Sequence, residues 1–108
     1  EEICLEAVKQ NGEALQYVKE QTAELCMAAV KQNGMELWHV KKQTEEICLA
    51  AVKQCGGALQ YVKEQTAELC MAAVQQDTKA ITLIHNSEMR KKIEGAAKEL
   101  QVSTMSVF

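Results

Sequence analysis

"AELCMAAVKQNGMELWHVKKQT", residues 23–44, decides the fold, because close copies stand on both sides of it. Residues 1–22 read "EEICLEAVKQNGEALQYVKEQT" and residues 45–66 read "EEICLAAVKQCGGALQYVKEQT". A fourth copy opens at Ala67 and leaves the pattern after "AELCMAAV". Cys4, Cys26, Cys48 and Cys70 recur every 22 residues, as do Gly12, Gly34 and Gly56, and Thr22, Thr44 and Thr66. Residues 14–30 and 58–74 are identical, so the units also pair at a spacing of 44. Fixed periods of roughly 20–50 residues mark solenoids and arrays, in which one packing solution is used repeatedly.

Each unit reads as a helical hairpin. In residues 22–44, Thr22 is placed to cap a helix, its hydroxyl accepting from a free backbone N–H. Glu24 in the first turn and Lys31 in the last complement the helix dipole. Leu25, Cys26, Ala29 and Val30 make one apolar stripe. Asn33-Gly34 predicts the helix end, with glycine in a left-handed C′ conformation. A second, shorter helix is expected over about 35–42, burying Leu37 and Val40. Helices this short are marginal alone and must bury their stripes on neighbouring hairpins.

These observations predict an all-α fold: a short α-solenoid of four 22-residue hairpins (1–22, 23–44, 45–66 and 67–86) with a longer C-terminal capping helix over 87–101. In unit four "DTKAITLIHNSE" replaces "NGEALQYVKEQT", keeping Ala80, Ile81 and Ile84 as core residues. Ser87 is the expected cap of the terminal helix, with Ile93, Ala96, Ala97 and Leu100 as its apolar stripe. Glu88, Arg90, Lys91, Lys92, Lys98 and Glu99 are assigned to its solvated face. Residues 102–108, "QVSTMSVF" less its first residue, are read as a tail in which Val102, Met105 and Phe108 could form a last packed turn.

The chain of 108 residues is long enough for one domain with a modest core. It has no proline and a formal net charge of −3, from 12 basic and 15 acidic residues. That balance argues against a nucleic-acid binder, which needs a basic excess to neutralise phosphates. No apolar run reaches the roughly 18 residues of a membrane span. Neither a signal peptide nor an initiator methionine opens the chain; the expectation is a processed or excised chain, and whether a longer native array surrounds it is left open.

The pattern "E-[IL]-C-[LM]-x-A-V-K-Q-N-G-x-A-L-x-Y-V" resembles the tandem helical repeat known as domain of unknown function 4116, met in bacterial, phage-associated and pathogen-effector proteins. The resemblance covers residues 1–76 well and 77–88 poorly. It implies a helical array and carries no catalytic residues to transfer.

Five cysteines raise the question of a metal or a disulfide. Four hold one register on successive units, and helical layers stack at about 10 Å. A disulfide needs Cα atoms within about 7 Å, and no C-x-x-C pair is present for zinc. Cys4, Cys26, Cys48 and Cys70 are therefore expected to be core thiols, reduced and metal-free, which suits a cytosolic setting. Cys55, in "KQCGG", replaces the asparagine before the glycine and is expected to be exposed. His39 stands at the register of Tyr17 and Tyr61, and His85 at that of Lys19, Lys41 and Lys63, so no catalytic pair is expected. No cofactor is expected either.

Trp38 stands where units one and three have Gln16 and Gln60. A register that tolerates glutamine faces solvent, so this tryptophan either contacts a partner or caps the adjacent hairpin. Met35, Glu36, His39 and Lys42 depart from the pattern beside it and complete the candidate contact set. Arg90, Lys91 and Lys92 form a second, basic candidate.

The leading expectation is a non-catalytic protein–protein interaction module. The alternative, implied by the resemblance, is a small mobile-element or phage-type inhibitor that blocks a host defence complex such as a CRISPR effector. The expected partner is another protein, with self-association through an open array end as a further route. Membrane association and direct nucleic-acid binding are not expected. The expected location is the cytoplasm of a bacterium or of an infected host cell.

Overall fold

A computed structural model describes the backbone of residues 2–105 and the side chains of residues 5–97. The chain is all-α among these residues. Four α-helices alternate with four 3₁₀ helices, and a long helix follows. The α-helices are α1 (Glu2–Gln10), α2 (Ala23–Gln32), α3 (Glu45–Gln54), α4 (Ala67–Gln76) and α5 (Ser87–Met105). The 3₁₀ helices are η1 (Gly12–Tyr17), η2 (Gly34–His39), η3 (Gly56–Tyr61) and η4 (Thr78–Leu83). Each α-helix packs on the next, and each 3₁₀ helix packs on its own α-helix and on the α-helix that follows. The array measures 51 × 30 × 17 Å.

Thr22, Thr44 and Thr66 cap α2, α3 and α4, each hydroxyl accepting from the backbone N–H three residues on at 3.2 Å. The stripe of Leu25, Cys26, Ala29 and Val30 is buried, as are its counterparts in units three and four. Among the described residues one core runs through the array to Ile84 and Ile93, with Ala97 packed against it.

Three local expectations are corrected. The second element of each hairpin is a six-residue 3₁₀ helix. Val18, Val40 and Val62 follow directly on these helices as their C-caps and donate their N–H groups to the carbonyls of Leu15, Leu37 and Leu59, so each valine continues the 3₁₀ turn and falls on the inward face of its leucine. The glycine after each α-helix is not left-handed: no residue among those described has a positive φ. Asn33 makes the corner instead, in an extended conformation (φ −153°, ψ 111°) that ends α2 and starts η2. Its side chain accepts from the Met35 N–H at 3.0 Å. The glycine is required for close approach. A Cβ on Gly56 would stand 2.6 Å from the Ala73 carbonyl oxygen of the next unit, and Gly34 faces Ala51 in the same way. In unit four the register holds Thr78.

The third correction concerns α5. Asn86, not Ser87, caps it, accepting from the N–H groups of Glu88 and Met89 at 2.9 and 3.0 Å. The helix therefore starts two residues early relative to the threonine-capped helices. It continues to Met105, so residues 102–105, read as tail, are helical. Ile93 is buried, while the side chain of Leu100 lies outside those described. Arg90 is half-buried and not on the free face, and its Nη2 donates to the Ile84 carbonyl at 3.1 Å.

Candidate functional site

The seams between units are built by a residue that the repeat pattern contains but sequence reasoning passed over. The amide of Gln43 grips the backbone of unit three: its Nε2 donates to the Tyr61 carbonyl at 2.7 Å, and its Oε1 accepts from the Lys63 N–H at 3.0 Å. Gln21 does the same to His39 and Lys41, at 2.7 and 2.9 Å. Gln65 does so to Leu83 and His85, at 3.0 and 2.8 Å. A second amide works from the other side, with Gln76 Oε1 accepting from the Gly56 N–H at 2.6 Å. Gln32 likewise accepts from Gly12 and donates to the Lys9 carbonyl. The signal was the glutamine before every capping threonine, polar yet unchanging from unit to unit.

The thiols sit beside these amides. Cys26 and Cys48 point Sγ at Gln21 and Gln43 Oε1, at 3.7 and 3.6 Å. Cys26, Cys48 and Cys70 are buried and free. Burial pushes all three thiols up from their ordinary range, with the Glu45 carboxylate adding to the effect at Cys48. A protonated thiol is a poor nucleophile and a poor metal ligand. The side chain of Cys4 lies outside those described. Cys55 is half-buried rather than exposed, with its sulfur against Gly57, and it makes no side-chain cap bond to η3.

Around this frame the candidate contact residues separate by depth. Leu37, fully buried, anchors η2 and turns Trp38 outward. Trp38 is 66% exposed and meets Tyr61 of the next hairpin edge-on, ring centroids 5.1 Å apart at 63°. The two readings of Trp38 thus coexist, since it rests on its neighbour and still presents most of its surface. Lys42 is exposed at the corner before α3. Met35 and His39 are half-buried, Met35 lying beside Gly57.

Glu36 does not reach the surface. It is only 6% exposed, at the register where units one, three and four hold Ala14, Ala58 and Ala80. Its Cγ faces Gly12 across the seam to unit one. Its Oε2 lies 3.9 Å from His39 Nε2 and accepts no hydrogen bond from the described residues. Burial raises its pKa above the ordinary glutamate value, an effect partly offset by His39 and reinforced by Glu13.

A cleft of about 410 Å³ lies beside Trp38, lined by Tyr61, Gln60, Lys41 and Lys63 among others. The second candidate is divided: Lys91 and Lys92 are exposed, whereas Arg90 is committed to Ile84. No helix of the described residues is long and apolar enough to cross a membrane.

The model of the family described as "Domain of unknown function (DUF4116)" matches residues 1–43, 22–66 and 44–90, and the chain belongs to this family. Each match spans about two hairpins, and successive matches begin about one hairpin apart, as the 22-residue period requires. No curated protein and no solved structure matches the chain.

Proposed function

We propose that the chain is a non-catalytic protein–protein interaction module whose contact face is centred on Trp38. The observation that carries this reading is a tryptophan 66% exposed at a register where two sister hairpins fold with glutamine. The fold has no need of an aromatic there, and tryptophan is enriched among the residues that dominate binding energy. The cleft beside it gives a partner side chain somewhere to enter. The non-catalytic part of the proposal is supported by the chemistry of the thiols, which burial keeps protonated.

The test is affinity capture from the native host with the parent chain and with Trp38→Gln. The variant restores the sister residue and loses one edge-on aromatic contact, so its stability should fall by no more than about 1 kcal/mol. Affinity for the captured partner should fall by roughly 30-fold or more, the equivalent of about 2 kcal/mol. Unchanged affinity would remove Trp38 from the interface. A large drop in melting temperature would make it a structural cap.

A further inference from the structure

Resting on the interaction-module reading, we propose that the partner presents an extended acidic peptide segment to the corner of unit two, with an apolar side chain against Trp38. Two clefts flank Lys41. The first, of about 410 Å³, is lined by Lys41, Lys63, Trp38 and Tyr61 and has no carboxylate among the described residues of its wall. The second, of about 430 Å³, is lined by Lys41, Lys42, Thr22 and Thr44 and has none among the described residues either. The same groove one unit further on, about 270 Å³, contains Glu45 and Glu64 beside Lys63. The change of sign comes from substitutions within the repeat. Lys42 stands where units one and three have Glu20 and Glu64, and Ala23 stands where unit three has Glu45.

The lysines are held in order. Lys19, Lys41, Lys63 and His85 occupy one register, one per hairpin, and all are exposed. The backbone N–H groups of Lys41, Lys63 and His85 are each fixed by a glutamine of the preceding unit, at 2.9, 3.0 and 2.8 Å. Helical layers stack about 10 Å apart, and a chain extended in the polyproline II form advances about 3.1 Å per residue with three residues per turn. A carboxylate at every third residue of such a peptide lies on one face, about 9 Å from the next, and would therefore meet successive lysines of this column. Trp38 and Tyr61 take an intervening apolar side chain, which a purely polar segment would not use. A continuous polyanion such as single-stranded nucleic acid fits less well. Glu20 and Glu64 follow Lys19 and Lys63 directly, so a charge on every nucleotide would meet these carboxylates, whereas a charge on every third residue can be placed at the lysines alone.

Trp38 is the only tryptophan, so its emission reports on this site in the full chain. The probe is a short capped peptide with glutamate at every third position and leucine between. Controls are the same peptide with glutamine for glutamate, and single-stranded oligothymidine. The glutamate peptide should shift the emission and bind at least about 10-fold more tightly than the glutamine peptide, with affinity falling as salt is raised. Lys42→Glu, which restores the sister residue, should weaken it about 10-fold with an unchanged melting temperature. Equal binding of the two peptides, no effect of Lys42→Glu, or no binding of the glutamate peptide would overturn the proposal. Preference for oligothymidine would also overturn it, in favour of nucleic acid. The two readings fail separately. If the glutamate peptide does not bind but Trp38→Gln releases a captured partner, the acidic segment is wrong and the interaction face stands. If the captured partner ignores Trp38→Gln while the peptide responds to Lys42→Glu, the reverse holds.

Discussion

Units two and three begin from the same hairpin and end as different objects. Seen from the seams they are alike: Leu25 and Ile47, Cys26 and Cys48, Ala29 and Ala51, and Val30 and Val52 are buried in matching slots, and Gln21 and Gln43 grip the following unit in the same way. Seen from solvent they diverge. Unit two shows Trp38 and Lys42 where unit three shows Gln60 and Glu64. The positions fully buried between units keep their size and apolar character, because a change there must be absorbed by two hairpins at once. The exposed positions vary, even where, like Trp38, they rest on a neighbour. Glu36 breaks this rule, being a departure placed in the seam, and it gives the comparison its sharpest test.

The largest expected effect lies at two adjacent glycines that the rule separates. A Cβ on Gly56 would stand 2.6 Å from the Ala73 carbonyl, a backbone atom of the next helix that cannot swing aside. Gly57 offers ordinary contact, its nearest neighbours being Cys55 Sγ at 3.6 Å and Met35 Sδ at 3.8 Å. Gly56→Ala should cost about 3 kcal/mol, at the upper end of overpacking costs. Gly57→Ala should lie within about 0.5 kcal/mol of the parent, or above it, because it only narrows the unfolded ensemble. Urea titrations of the two variants check this. Equal effects would mean that the glycines serve chain flexibility and that the close approach has no energetic weight.

The next effect tests the amide clamp against a solvent amide on the same hairpin pair. Gln43→Ala leaves the Tyr61 carbonyl and the Lys63 N–H without their partner and opens a gap beside Cys48. It should destabilise by about 2 kcal/mol. Gln60 is exposed, and its amide bonds only to the Gly57 carbonyl of its own turn, so Gln60→Ala should cost well under about 1 kcal/mol. Hydrogen exchange at Lys63 should accelerate in the first variant and stay unchanged in the second. If both behave alike, the seams are held by apolar packing alone.

The array and its caps were legible because they rest on local chemistry that repeats: a threonine, an apolar stripe and a break, again and again. The 3₁₀ form of the second element was also written in the chain, in the three-residue spacing of Leu37 and Val40, but that spacing fits one turn of α-helix equally well. A local reading gives the glycine a conformational role because its true constraint, the Ala51 or Ala73 carbonyl, lies in the next unit. The contact set was half legible. Repeat register identifies Trp38 and Lys42 as departures, but register alone gives no depth, so it groups Glu36 with them although Glu36 occupies an alanine slot. Arg90 is illegible for a related reason: helical periodicity places its charge toward solvent, whereas its guanidinium reaches back to the Ile84 carbonyl in the turn before the helix.

The smallest effect is the most discriminating, because it should run opposite to the usual direction of a core substitution. Glu36→Ala restores the residue that units one, three and four use at this register. It removes a carboxylate whose Oε2 is buried without a hydrogen bond. Deleting a buried polar group that lacks a partner relieves a desolvation cost, and a gain of about 1 kcal/mol is expected. The gain has a pH signature. Burial raises the folded-state pKa of Glu36 above the ordinary glutamate value, so the folded state holds the proton more tightly than the unfolded chain does. The penalty on the parent is therefore present in full above the raised pKa. It is relieved as pH falls through that pKa toward the ordinary carboxylate range. The advantage of the variant should be largest at neutral pH and shrink on mild acidification. This difference isolates Glu36 together with its His39 contact, since the remaining carboxylates titrate in both chains. Melting both proteins across that range checks the expectation. A constant advantage would mean that the variant gains from packing alone. A loss of stability at neutral pH would mean that the Glu36–His39 pair holds the seam between units one and two, and that the departure in unit two is structural after all.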